Sequence, residues 1–98
     1  MAYDLSFGQW IIQRRKELRL QRTQLAALLS CATITLRKIE ADERRPSQQL
    51  AELLAEHLGL DLQDRISFVR VARGELTADR LPALPLRPAQ EKPSVLTP

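Results

Sequence analysis

The stretch RTQLAALLSCATITLRKIEA, Arg22 to Ala41, carries two short apolar-periodic runs with almost nothing between them. In the first, from about Arg22 to Leu29, the apolar positions are Leu25, Ala26, Leu28 and Leu29. In the second, from Thr33 to Ala41, Leu36 and Ile39 recur at the spacing of one helix face. Two helices this short, joined by three or four residues, are predicted to cross steeply across a tight turn, a helix-turn-helix unit, and not to lie side by side.

The flanking sequence supplies what such a unit must pack against. Upstream, Ser6 is a good helix N-cap, and Phe7, Trp10, Ile11, Arg14 or Arg15 and Leu18 follow at three- and four-residue spacings, predicting an amphipathic helix to about Leu18. Downstream, ADERRP (Ala41 to Pro46) is charged and ends in proline, so an exposed loop is expected. Ser47 then caps a fourth helix with Leu50, Leu53, Leu54 and Leu58 apolar, stopped at Gly59. A fifth follows Asp61 through Ile66, Phe68, Val69 and Ala72 to Gly74. With 98 residues, four aromatics and three glycines, the expectation is one all-α domain: a compact five-helix bundle over 6–74 after a short N-terminal extension, 1–5. Residues 75–98 hold five of the six prolines and no helical period. They read as an extended or disordered linker leading to a further domain.

The net charge of +3 is unevenly spread. From Arg14 to Arg45 nine Lys/Arg face four acids, so this third of the chain carries +5. A confined positive field suits an anionic polymer or surface. With Leu36 and Ile39 fixing the inward direction of the third helix, Ile34, Arg37 and Lys38 point outward, flanked by Thr33 and Thr35. Arginine can pair with guanine in the major groove, threonine can bond a base or a phosphate, and isoleucine can contact the thymine methyl. Arg22 before this face and Arg44 with Arg45 after it stand where phosphates would run, and backbone contacts of that kind set register while base contacts specify.

The residues that form this unit, and most closely LRKIEADERRPS (Leu36 to Ser47), resemble the Cro/repressor-type helix-turn-helix domains of phage repressors and bacterial regulators. The stretch is similar to the N-terminal domain of large bacterial regulators that carry ATPase and tetratricopeptide modules, and LTP (Leu96 to Pro98) is similar to the junction before their ATPase domain. The resemblance covers about Phe7 to Gly74. It implies double-stranded DNA as partner, the third helix in the major groove, base contacts from Thr33, Ile34, Arg37 and Lys38, and a phosphate contact from Arg22; Thr35, Arg44 and Arg45, by their place beside that face, complete the expected phosphate contacts. It also implies a structural ion pair between Arg15 and Glu40. Where the family usually has a Ser or Thr cap, a turn glycine and a second Ser or Thr cap, this chain has Gln21, Ser30 and Ala32. A third helix that starts less firmly is expected, with faster amide exchange over residues 32–35 than in the first helix.

The remaining residues point away from other classes. A lone cysteine, Cys31, excludes an intrachain disulfide and a zinc site built on cysteine pairs, and reads as a packed thiol in a reducing cytoplasm. No apolar run approaches the roughly 20 residues of a membrane span, and the first residues lack the pattern of a signal peptide. His57 suits the C-terminal dipole of the fourth helix, and Glu52 with Glu56 reads as a solvated pair. No nucleophile with its base, phosphate-cradling glycine loop or metal cluster is recognisable, so neither catalysis nor a cofactor is expected. The rival reading is a protein-interaction module docking through exposed Ile34 onto a downstream ATPase domain or another partner. The isolated domain is expected to be monomeric, with useful affinity coming from two copies joined through other domains.

Overall fold

A computed structural model describes residues 5–86 of the chain. They form five α-helices and one short 3-10 turn, with no strand among the described residues: α1 (Phe7–Glu17), α2 (Arg22–Leu28), α3 (Thr33–Glu40), α4 (Gln48–His57) and α5 (Leu62–Ala72), then the turn Ala78–Arg80. The helices lie where the apolar spacing places them. Three begin on side-chain caps visible in the sequence: Ser6 Oγ accepts from the Gln9 amide at 3.1 Å, Ser47 Oγ from the Leu50 amide at 3.1 Å, and an Asp61 oxygen from the Asp64 amide at 2.8 Å. At α1 the box closes in the other direction, because the Ser6 amide donates to Gln9 Oε1 at 3.0 Å.

Phe68 of α5 sits at the centre of the core, fully buried, with the ring of Phe7 4.9 Å away and that of Trp10 5.6 Å away, both tilted. Ile11 of α1, Leu25 and Ala26 of α2, Leu36 and Ile39 of α3, and Leu54 and Leu58 of α4 converge on the same cluster. Two helices differ in detail from their sequence reading. Ile66, expected among the inward residues of α5, is half exposed, because burial of Phe68, Val71 and Ala72 turns Leu62 and Ile66 to the other side. Leu28 of α2 is half exposed as well, while Leu25, Ala26 and Leu29 are buried.

α1 and α3 approach at a point that only glycine allows. A Cβ on Gly8 would stand 2.2 Å from the Glu40 carbonyl oxygen and 2.7 Å from that of Ile39. Asp42, held in the left-handed region at φ 61°, reaches back across this contact: its carboxylate accepts from the Gly8 amide at 2.8 Å and from the Ser6 hydroxyl. The loop after α3 thereby caps the start of α1, a negative charge at the positive end of a helix.

The described segment after α5 has no α-helix, only bends and turns including the 3-10 turn, and through residue 86 it is packed onto the bundle where an extended or disordered linker was expected. Leu81 is buried, Leu76, Leu84 and Leu86 lie against the core, and the indole N–H of Trp10 donates to the Pro82 carbonyl at 2.8 Å. The Leu86 amide donates to Glu17 at the end of α1. The physical reason is leucine at 76, 81, 84 and 86, spaced irregularly between prolines: too aperiodic for an element, apolar enough to cover Trp10. The remainder of the expected linker, residues 87–98, lies outside the described residues, as do residues 1–4.

Candidate nucleic-acid interface

α3 has one buried side and one bare side. Leu36, Ile39 and Glu40 face inward, while Thr33, Ile34, Arg37 and Lys38 are exposed, Ile34 by 54%, and Thr35 is half-buried at the margin. The four residues expected to read bases are thus brought together on a single surface with no competing contact among the described residues. Arg37 and Lys38 stand in the last turn, where two cations also complement the negative end of the helix.

The turn that sets this face departs locally from a relaxed one. Ser30 takes the left-handed conformation, φ 56°, that glycine adopts at no cost, and the turn closes with the Cys31 amide on the Ala26 carbonyl at 3.0 Å. Ala32 occupies the N-cap of α3 and supplies no side-chain bond. The start of α2 is better satisfied than Gln21 alone suggests, because the Gln21 amide donates to Gln24 Oε1 at 2.7 Å. Cys31 packs against the core from the turn, and burial pushes its thiol above the usual range.

Beneath the face lies a buried ionic centre. Arg15 Nε donates to Glu40 Oε2 at 2.8 Å and its Nη2 to Oε1 at 3.2 Å, a paired geometry, while its Nη1 donates to the Leu20 carbonyl. Glu40 Oε1 also accepts from Arg22 Nε at 2.8 Å. The pairing of Arg15 with Glu40 was implied by resemblance; the third member was not legible, since no sequence spacing brings residue 22 to residue 40.

The cations are not all alike. Arg14 is buried, its Nε on the Leu58 carbonyl at 2.8 Å, where it closes the C-terminal end of α4. Arg45 directs Nη1 toward the Arg73 carbonyl at the end of α5, so close to Gly74 that a Cβ there would collide with the guanidinium. Arg14 and Arg15 are buried and serve the fold, whereas the Arg45 side chain stays exposed beside its 3.4 Å contact with Arg73. Arg37, Lys38 and Arg44 are exposed without an ionic partner among the described residues, and Arg22 is partly exposed. The charge count over 14–45 alone overstated the free positive surface.

Residues 11–64, more than half of the chain, match the family model described as helix-turn-helix, of the Cro/C1 type. The chain belongs to this helix-turn-helix family. Membership supports DNA binding by the α2–α3 unit and double-stranded DNA as the partner, in a family that is typically non-enzymatic. Comparison with curated proteins and with solved structures found no match. Among the described residues no helix is long and apolar enough to cross a membrane, and no three His, Cys, Asp or Glu side chains converge as a metal site would need.

Proposed function

We propose that the chain is the sequence-preferring DNA-binding module of a bacterial transcriptional regulator, with α3 in the major groove. Thr33, Ile34, Arg37 and Lys38 meet base edges, and Arg22, Thr35, Arg44 and Arg45 meet phosphates. The observation that carries this reading is the division of α3 itself. One side is fixed by Leu36, Ile39 and the Arg15–Glu40 pair, and the other is bare and bears two cations, two hydroxyl-flanked positions and one apolar group. An exposed Ile34 beside two long cations, on a helix fixed from behind, has the side-chain set that base edges in a major groove can use.

One copy on one half-site binds weakly, so two copies brought together by other parts of the regulator supply useful affinity. Selection of duplexes from a random pool, followed by a salt titration, tests the proposal. Affinity falls steeply with salt. Arg37→Ala flattens sequence preference, whereas Arg44→Ala weakens all sequences alike and lowers the salt slope by about one. Absence of duplex binding above background at low salt overturns the reading. A salt-tolerant complex with a downstream domain that Ile34→Glu abolishes would replace it with protein docking.

A further inference from the structure

Glu40 is buried, its side chain 1% exposed, yet two guanidiniums share it. Arg15 takes both carboxylate oxygens and donates from Nη1 to the Leu20 carbonyl, so all three of its nitrogens are engaged inside the fold. Arg22 gives Glu40 a single hydrogen bond, from Nε, and its side chain stays 37% exposed. The centre holds two cations and one anion. Its surplus positive charge lies on Arg22, the member at the surface, and no other acid pairs with Arg22 among the described residues.

A guanidinium is planar and presents two edges to acceptors, so a bond at Nε engages the edge that Nε shares with one Nη and leaves the end edge, between the two Nη nitrogens, for a second acceptor. We infer that Glu40 is a positioning residue for DNA: by holding Arg22 through Nε, it presents the outer Nη edge to a backbone phosphate oxygen, which supplies the second anion the centre lacks. The inference rests on the DNA-binding reading and adds to it a residue that touches no DNA. Its physical content is preorganisation. A free arginine side chain loses rotamer freedom when it grips a phosphate, and one already held at Nε has lost much of it beforehand. Two anions then flank one guanidinium, which an ammonium with its single nitrogen reproduces poorly.

The test measures binding of a short mixed-sequence duplex over a range of salt concentrations for the wild type, Arg22→Ala, Glu40→Gln and the double variant. Folding of each is checked by circular dichroism at the assay temperature. Arg22→Ala lowers the salt slope by about 0.9, the signature of one lost phosphate contact. Glu40→Gln weakens binding about threefold to tenfold. In the Arg22→Ala background Glu40→Gln weakens it no further. An equal loss from Glu40→Gln with and without Arg22 shows that Glu40 acts only through the fold and overturns the inference, as does an unchanged salt slope in Arg22→Ala. Where Glu40→Gln fails to fold, Arg22→Lys decides: loss close to that of Arg22→Ala supports the two-anion geometry, and wild-type affinity refutes it. Failure of the wild type to bind any duplex at low salt removes the DNA reading and the inference together, whereas wild-type binding with a flat cycle removes the inference alone.

Discussion

Gly8→Ala sets two effects of opposite sign against each other. In an isolated helix the change is favourable by up to about 1 kcal/mol. Here the new methyl must move from 2.2 Å to at least 3.0 Å from the Glu40 carbonyl oxygen, a separation of 0.8 Å, and the obstructing atoms are backbone that cannot swing aside. Taken along the bond from the Gly8 amide to Asp42, a displacement of that size would lengthen it from 2.8 Å to about 3.6 Å, beyond hydrogen-bonding reach. Loss of a bond to a charged acceptor costs about 1.5–3 kcal/mol, and overpacking of the contact about 1–3 kcal/mol. After the helix-propensity gain the net loss is about 1.5–5 kcal/mol, a fall in Tm of roughly 6–40 °C for a domain of this size. Thermal unfolding followed by circular dichroism gives the answer directly. Because Gly8→Ala already severs the Asp42 contact, adding Asp42→Ala costs less than it does alone. An unchanged or raised Tm would show that α1 does not depend on this close approach, and the reasoning would be refuted.

Three further outcomes follow from other contacts. Ala32→Ser places a hydroxyl at the uncapped start of α3 and is expected to stabilise the domain by about 1 kcal/mol, with slower amide exchange at residues 33–35; unchanged exchange there would mean the cap is not what limits the helix. Leu81→Ala is expected to cost about 2 kcal/mol and to shift the emission of Trp10, the one tryptophan in the chain, to longer wavelength; native-like emission together with native stability would contradict the packed position of residues 81–86. Alkylation of Cys31 with iodoacetamide at mildly alkaline pH is expected to be slower than that of an unfolded-chain cysteine, because burial raises the thiol above its ordinary value. A folded-state thiol that holds its proton more tightly stabilises the fold below the unfolded value and loses that contribution as pH rises through the folded one; equal reaction rates in folded and urea-unfolded protein would rule the raised value out.

Helical periodicity and capping residues made the five helices legible, since Ser6, Ser47 and Asp61 act within three residues of themselves. The exposed face of α3 was legible for a related reason: once Leu36 and Ile39 are inward, geometry fixes where 34, 37 and 38 stand. Contacts between distant residues were not, apart from the Arg15–Glu40 pair that the resemblance implied. Gly8 looks like an ordinary weak spot in a helix until Glu40 is seen behind it, and Asp42 looks like a loop acid until it caps α1 from the far end of α3. Arg14 and Arg15 counted toward a basic surface because a charge tally cannot tell a solvated guanidinium from one buried against a helix-end carbonyl or a carboxylate. The packing of residues 76–86 escaped because proline content speaks to local conformation and not to whether leucines between the prolines find a core.

The strap over Trp10 has a mechanical meaning. The chain leaves α5 at Ala72, yet its last described contact is Leu86 on Glu17, at the end of α1. A pull on the C-terminal tail is therefore loaded first onto the Leu86–Glu17 and Pro82–Trp10 bonds, in series with α1, and reaches α5 only after these have given way. α1 is the helix that carries Arg15 and abuts α3 at Gly8. Tension on the tail thus bears on the support of the recognition surface before it bears on the rest of the bundle.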